Sequence, residues 1–273
     1  MRKLMHLLKS TMEVPPVWGI FHFVAIALTA LVTLCLCLFF RDSDNKTYRT
    51  VLLVIWIIMV LMEAVKQFEE SYSFLADGKI LWKYSWKTFP LQLCDSPFYF
   101  LLPAAFLKDG KVRDAVSSFM CSYILLGGLA TYLFPSTTFC SNVYLNVHTM
   151  THHGLQIASC IYIGVHNRHR LSLISFARGI LVFVSVVAVA TIFNVGMHAI
   201  HPEQEINMCY ISPYFRKTIP MTAFNDAFQK MHWAAVIAFY IGALTLIAFV
   251  LYHIYRLFTY LADRRKTARA QAA

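Results

Sequence analysis

The chain has 273 residues, of which 58% are hydrophobic and 14% charged, with a mean hydropathy of +0.57; soluble domains carry roughly 25% charged residues, so a soluble globular fold is excluded. The formal charge of +10 sits at the ends of apolar runs and builds no aromatic-interleaved basic face, which excludes nucleic acid as a partner and points to membrane topology and anionic headgroups. Seven cysteines stand singly, without CxxC or zinc-finger spacing, so neither a disulfide framework nor a structural metal site is signalled, and no cofactor is implied.

Residues 1–16 carry Arg2, Lys3 and Lys9 among Leu4, Leu7 and Leu8 and end at Pro15 and Pro16. This reads as a short interfacial helix; no small-residue cleavage site closes the next apolar run, which argues against a signal peptide. A spanning helix needs about 20 apolar residues, and the apolar runs predict spans at 17–40, 50–68, 89–107, 114–134, 143–165, 172–200 and 232–257. The expected fold is therefore all-α, a polytopic bundle of about seven transmembrane helices forming one domain over 17–260. A basic polar tail, 261–273, follows and reads as disordered after residue 262.

The third span holds Pro90, Pro97 and Pro103 with Asp95 and Ser96, so it is expected to be bent and buried among other helices. Gly127 and Gly128 in the fourth mark a close helix contact. More Lys and Arg fall on the face shared by Arg41, Lys108, Arg168, Arg178 and the C-terminus than on the face shared by Lys9, Lys83, Arg216 and Lys217. The positive-inside rule then puts the N-terminus outside and the C-terminus in the cytoplasm.

Ionisable residues within a membrane are costly and are functional candidates by default, and here they gather at the outer end of the bundle. Glu63 and Lys66 close span two, where at i, i+3 they can pair with one another. Cys94 and Asp95 open span three. With Pro90 in the first helical turn, Cys94 falls about one turn inside, where the positive end of the helix dipole favours a thiolate. Pro97 also cannot donate to the Leu93 carbonyl, which opens the backbone there. Cys94 is the expected nucleophile; the alternative, a small apolar core residue, is the reading for Cys35, Cys37, Cys121 and Cys160. Cys140 and Cys209 both fall on the outer side, where an oxidising compartment would let them pair.

Span five stacks His148, His152 and Gln156 on one stripe and turns His153 about 100° away. His153 suits a general base, set against the alternative of a hydrogen-bonded structural imidazole. Asn194, His198 and His201 share a stripe at the end of span six, as orienting groups for a lipid headgroup or as glue between helices. The inner halves read as almost purely apolar apart from their boundary charges.

The segments EAVKQF (63–68), FPLQLCDSPFYF (89–100), THHGL (151–155) and INMCYI (206–211), in this order, resemble the YwaF-like, transmembrane protein 164 family of integral membrane proteins. The resemblance covers about residues 50–215. It implies acyl transfer from a phospholipid to a lysophospholipid through a cysteine, making ether phospholipids; the expected location is the plasma membrane or endoplasmic reticulum. On the matching positions Cys94 corresponds to the acyl-carrying cysteine and His153 to the histidine of the later motif. Glu63, Lys66, His152, Asn194, His198 and Asn207 are the expected substrate-binding set. Phe89 stands where that family has leucine, and Met208 and Cys209 where it has tyrosine and methionine.

Two other readings compete. A seven-span zinc hydrolase of the alkaline-ceramidase type would use some of His148, His152, His198, His201 and a carboxylate, three ligands with one open position. A transporter or receptor would use the bent third span as its site.

Overall fold

The fold is taken from a computed structural model that describes residues 2–215 and 225–272; Arg216 and Lys217, assigned to the outer face by charge, lie outside the described residues. In chain order come α1 (Arg2–Leu8), α2 (Ile20–Phe39), α3 (Asn45–Glu70), the hairpin β1 (Tyr72–Phe74) and β2 (Ile80–Trp82), and α4 (Pro97–Phe106). Then follow α5 (Lys111–Phe119), α6 (Leu125–Leu133), α7 (Val143–His166), α8 (Leu173–Ile200), α9 (Asn225–Lys230) and α10 (Trp233–Ala272). A π-turn, Met120–Ile124, joins α5 to α6 without a break. Side-chain caps fix three starts: Asp44 accepts from the Thr47 N–H at 3.0 Å, Asn142 from the Leu145 N–H at 2.9 Å, and Ser172 and Ser175 cap each other.

Five helical stretches are long and apolar enough to cross a bilayer: Ile20–Phe39, Asn45–Glu70, Lys111–Leu133, Leu173–Ile200 and Trp233–Leu261. The other two predicted spans differ from these. α7 has the length, 24 residues, but its polar residues keep it from reading as a lipid-facing helix, and it packs between α2, α3, α6 and the π-turn. α4 has only 10 residues. The lipid-facing role falls instead to helices such as α2, whose Leu28, Leu31, Leu34 and Leu38 are exposed.

Close packing around α7 depends on glycine. A Cβ at Gly154 would run into Thr29 Oγ1 and lie 2.8 Å from the Tyr132 hydroxyl, and one at Gly128 would meet Ile157 Cγ1 at 2.9 Å. The expected contact at Gly128 is thus one between α6 and α7. Gln156 of α7 donates to the Ile124 carbonyl at 2.7 Å, covering a backbone acceptor at the end of the π-turn, where regular helical bonding is interrupted.

The expected disordered tail is helical, α10 running on to Ala272. Residues 262–272 contain no Gly or Pro and are rich in Ala, Arg, Lys and Gln, which extend a helix at little cost. Just beyond the predicted spans at the inner end, buried Tyr48 stacks on His166 at 4.1 Å, takes a hydrogen bond from Asn167 at 3.1 Å and lies 5.3 Å from the Arg113 guanidinium.

A hairpin that the apolar-run pattern does not register caps the other end. Tyr72 pairs with Trp82 and Phe74 with Ile80. α1 lies on it: the Tyr72 hydroxyl donates to the Met5 carbonyl at 2.7 Å, His6 stacks on Phe74 at 4.2 Å, and Lys9 pairs with Glu69 at 2.8 Å. The following residues join the start of α7 through Met12 N–H to Ser141 O at 2.8 Å and Val143 N–H to Ser10 O at 3.0 Å.

Candidate functional site

The polar residues meet at this hairpin end, around the turn that carries Cys94. The sequence places Cys94 inside a helix starting near Pro90; the structure instead puts it on a short 3-10 turn, Leu93–Asp95, ahead of α4, which begins at Pro97. The cause is local. Pro97 has no N–H for the Leu93 carbonyl, which accepts from Ser96 instead. The Asp95 carboxylate bends back onto the Gln92 N–H at 2.8 Å while the Asp95 N–H donates to the Gln92 carbonyl at 2.9 Å. Asp95 is buried and Cys94 half-buried.

α7 supplies the nearest imidazole. His152 Nε2 donates to the Cys94 carbonyl at 3.0 Å, and its ring lies between Phe98 at 5.1 Å and His148 at 5.6 Å. His153 stands edge-on to His152 at 5.1 Å. Its Nδ1 donates to the Thr149 carbonyl of its own helix at 2.7 Å. Because a carbonyl only accepts, Nδ1 carries the proton and Nε2 holds a lone pair. Among the described residues no hydrogen bond joins His153 to the Cys94 sulfur.

Glu63 of α3 organises the next layer. It accepts from Lys66 at 3.1 Å and from Gln67 at 2.6 Å, and its other oxygen lies 3.1 Å from His148 Nε2. Gln67 also donates to the Thr88 carbonyl at 2.7 Å and accepts from Tyr84. Glu63 and Lys66 do pair, as their spacing predicts, and the pair fixes His148 and the chain leading to the Cys94 turn. Lys66 is also in electrostatic reach of Asp95 and Cys94.

The segment after α8 closes the site. Asn194 grips the Met208 backbone twice, accepting from its N–H at 2.7 Å and donating to its carbonyl at 3.0 Å. Asn207 donates to the Phe215 carbonyl at 2.7 Å and accepts from the Ser212 N–H at 2.8 Å. Gln92 then ties this segment to the Cys94 turn, donating to the Asn207 carbonyl at 3.1 Å and accepting from the Cys209 N–H at 2.7 Å. Cys209 and Tyr210 have φ of 54° and 58°, a left-handed conformation costly for side-chain-bearing residues and found where surrounding structure over-determines the backbone. Burial pushes the Cys209 thiol up to about 12, reinforced by the Asp95 charge and opposed in part by the Leu93 N–H.

Cys140 and Cys209 do not pair. Both are free thiols, the first facing the Asn142 carbonyl at 3.9 Å and the second the Leu91 carbonyl at 3.6 Å. His198 stacks on Tyr214 at 3.8 Å, and His201 lies over Trp86 at 5.8 Å and 3.5 Å from Glu203. Among the described residues no group of three or more His, Cys, Asp or Glu is arranged to hold a metal ion.

The structure thus joins Cys94 to His152, His152 to His153 and His148, and Glu63 to Lys66. Asn194 and Asn207 enter as anchors of the closing segment, and the contacts of His198 are with Tyr214 and Phe215. Gln92, the pin between two motifs, was missed; its place two residues before Cys94 was the available signal. On the far side of α7 an apolar groove of about 300 Å³ runs along α2, bordered by Leu28, Val32, Met150 and Leu155.

No curated protein and no solved structure matches the chain. The TMEM164 family model matches residues 17–255, a stretch that takes in every segment meeting at the Cys94 turn. The chain is a multi-pass integral membrane protein and belongs to the TMEM164 family.

Proposed function

We propose that the protein is a membrane-embedded acyltransferase that carries an acyl group on Cys94 as a thioester, with phospholipid and lysophospholipid as donor and acceptor. The observation that carries this reading is the meeting of α7 with the Cys94 turn: His152 reaches the Cys94 main chain at 3.0 Å, and His153 is the adjoining imidazole. The free lone pair on His153 Nε2 suits a base that takes the thiol proton. The thiolate attacks the ester carbonyl of the donor, and the lysophospholipid leaves with the proton returned by the imidazolium; the acceptor hydroxyl then gives its proton to His153 and attacks the thioester, the C–S bond breaks, and the Cys94 thiolate takes that proton back. The Lys66 ammonium, paired with Glu63 and within electrostatic reach of Cys94, supplies positive charge for the oxyanion or the lipid phosphate.

In this reading α4, with the turn before it, and α7 complete a seven-segment bundle. The hairpin end lies at the outer headgroup level, where lipid ester bonds are found, in the plasma membrane or endoplasmic reticulum. Exposed Leu4 and Leu7 of α1 suit an interfacial cap. The test is transfer of a labelled acyl chain by purified protein in phospholipid vesicles. Cys94→Ala is expected to abolish transfer and any hydroxylamine-sensitive label on the protein, and His153→Ala to slow transfer by about 100-fold or more. Undiminished transfer by folded Cys94→Ala ends the reading.

A further inference from the structure

Of the three α7 imidazoles near the Cys94 turn, His152 is the most buried, 2% exposed. Its Nε2–H is committed to the Cys94 carbonyl at 3.0 Å, and its Nδ1 has no hydrogen-bond partner among the described residues. Since the carbonyl can only accept, the proton sits on Nε2. The ring is held on three sides, by Phe98 at 5.1 Å, His148 at 5.6 Å and His153 at 5.1 Å. Behind it His148 Nε2 lies 3.1 Å from a Glu63 carboxylate oxygen. Gln92, Asp95 and Ser96 hold the ends of the turn it grips, and the contact to the Cys94 carbonyl itself comes from His152, at a place where Pro97 removes a backbone donor.

We infer that His152 is a positioning residue that sets the orientation of the Cys94 side chain by anchoring the Cys94 carbonyl, and that it moves no proton in the reaction. The inference rests on the reading of Cys94 as the reactive group, but its test does not need turnover. A glutamine amide extends about as far from Cβ as imidazole Nε2 and donates a hydrogen bond without titrating near neutral pH. Asparagine is one carbon shorter and cannot reach.

The experiment measures the rate at which N-ethylmaleimide modifies Cys94 in the full chain in vesicles, read by mass spectrometry of the Cys94 peptide, with the melting midpoint of each variant recorded alongside. His152→Ala and His152→Asn are expected to change the rate by about tenfold, the equivalent of one hydrogen bond of about 1.4 kcal/mol. His152→Gln is expected to stay within about twofold of the unaltered protein. An unchanged rate in folded His152→Asn overturns the inference. So does a His152→Gln rate as altered as that of His152→Asn, which would assign the residue a titrating role. Should His152→Ala and His152→Asn fail to fold, His152→Gln decides alone, since it keeps the anchor and loses only the titrating ring. If Cys94→Ala still transfers acyl chains while these rates behave as expected, the acyltransferase reading fails and the anchoring stands.

Discussion

At Glu63 three side chains compete for one buried carboxylate, from Lys66, Gln67 and His148. Removing one member of a buried pair leaves the other charge uncompensated, which costs about 3–5 kcal/mol. Glu63→Leu is therefore expected to lower the melting midpoint sharply in detergent, whereas Glu63→Gln, which keeps an acceptor oxygen, lowers it less. Equal midpoints for the two variants would mean that the carboxylate charge is not what holds Lys66. Gly154 gives a prediction of the opposite kind, one of too much volume. An added methyl group there runs into Thr29 Oγ1, and overpacking of this sort costs about 1–3 kcal/mol. Gly154→Ala should destabilise by that amount, and Thr29→Ala added to it should recover part of the loss, as denaturation of the single and double variants would show.

At the scale of elements, the segment 206–211 has only a three-residue 3-10 turn, Met208–Tyr210, interrupted by the left-handed Cys209, and is held by borrowed groups. Asn194 supplies two hydrogen bonds to Met208, and Gln92 supplies two more to Asn207 and Cys209. These anchors keep Cys209 and Tyr210 in their left-handed conformation and keep Cys209 out of solvent. Asn194→Ala removes two bonds of roughly 1 kcal/mol each. Alkylation of Cys209 should then quicken by at least about tenfold, while the helices keep their circular dichroism. A Cys209 that stays inert in this variant would place the segment's stability elsewhere. The N-terminal strap works on the same principle: Asn142 caps α7 and also donates to the Leu8 carbonyl at 3.0 Å and to Glu69 at 2.8 Å, so one side chain ties α1, α3 and α7 together.

Across the whole molecule, charge distribution predicts the sidedness. If the basic end with Arg41, Arg168 and Arg178 faces the cytoplasm, an epitope placed after Ala273 should be reached by antibody only in permeabilised cells, and one placed before Met1 in intact cells or sealed lumen-out vesicles. The reverse pattern would invert the bundle and move the Cys94 turn to the cytoplasmic headgroup level. Apolar run length and the low charged fraction determined, from sequence alone, that this is a helical membrane protein, because hydrocarbon tolerates no unpaired backbone and so admits little else for such runs. The order of the motifs likewise marked Cys94 and His153 as positions that match one family. Only the tertiary structure decided that Cys94 precedes its helix, that His152 and not His153 grips the Cys94 main chain, and that α7 lies among the other helices. Those outcomes depend on which groups remain free to pair after the helices have packed: a proline's missing donor, a glycine's missing Cβ and a glutamine two residues from the cysteine acquire their effect from partners far away in sequence, which no local pattern of apolar and polar residues records.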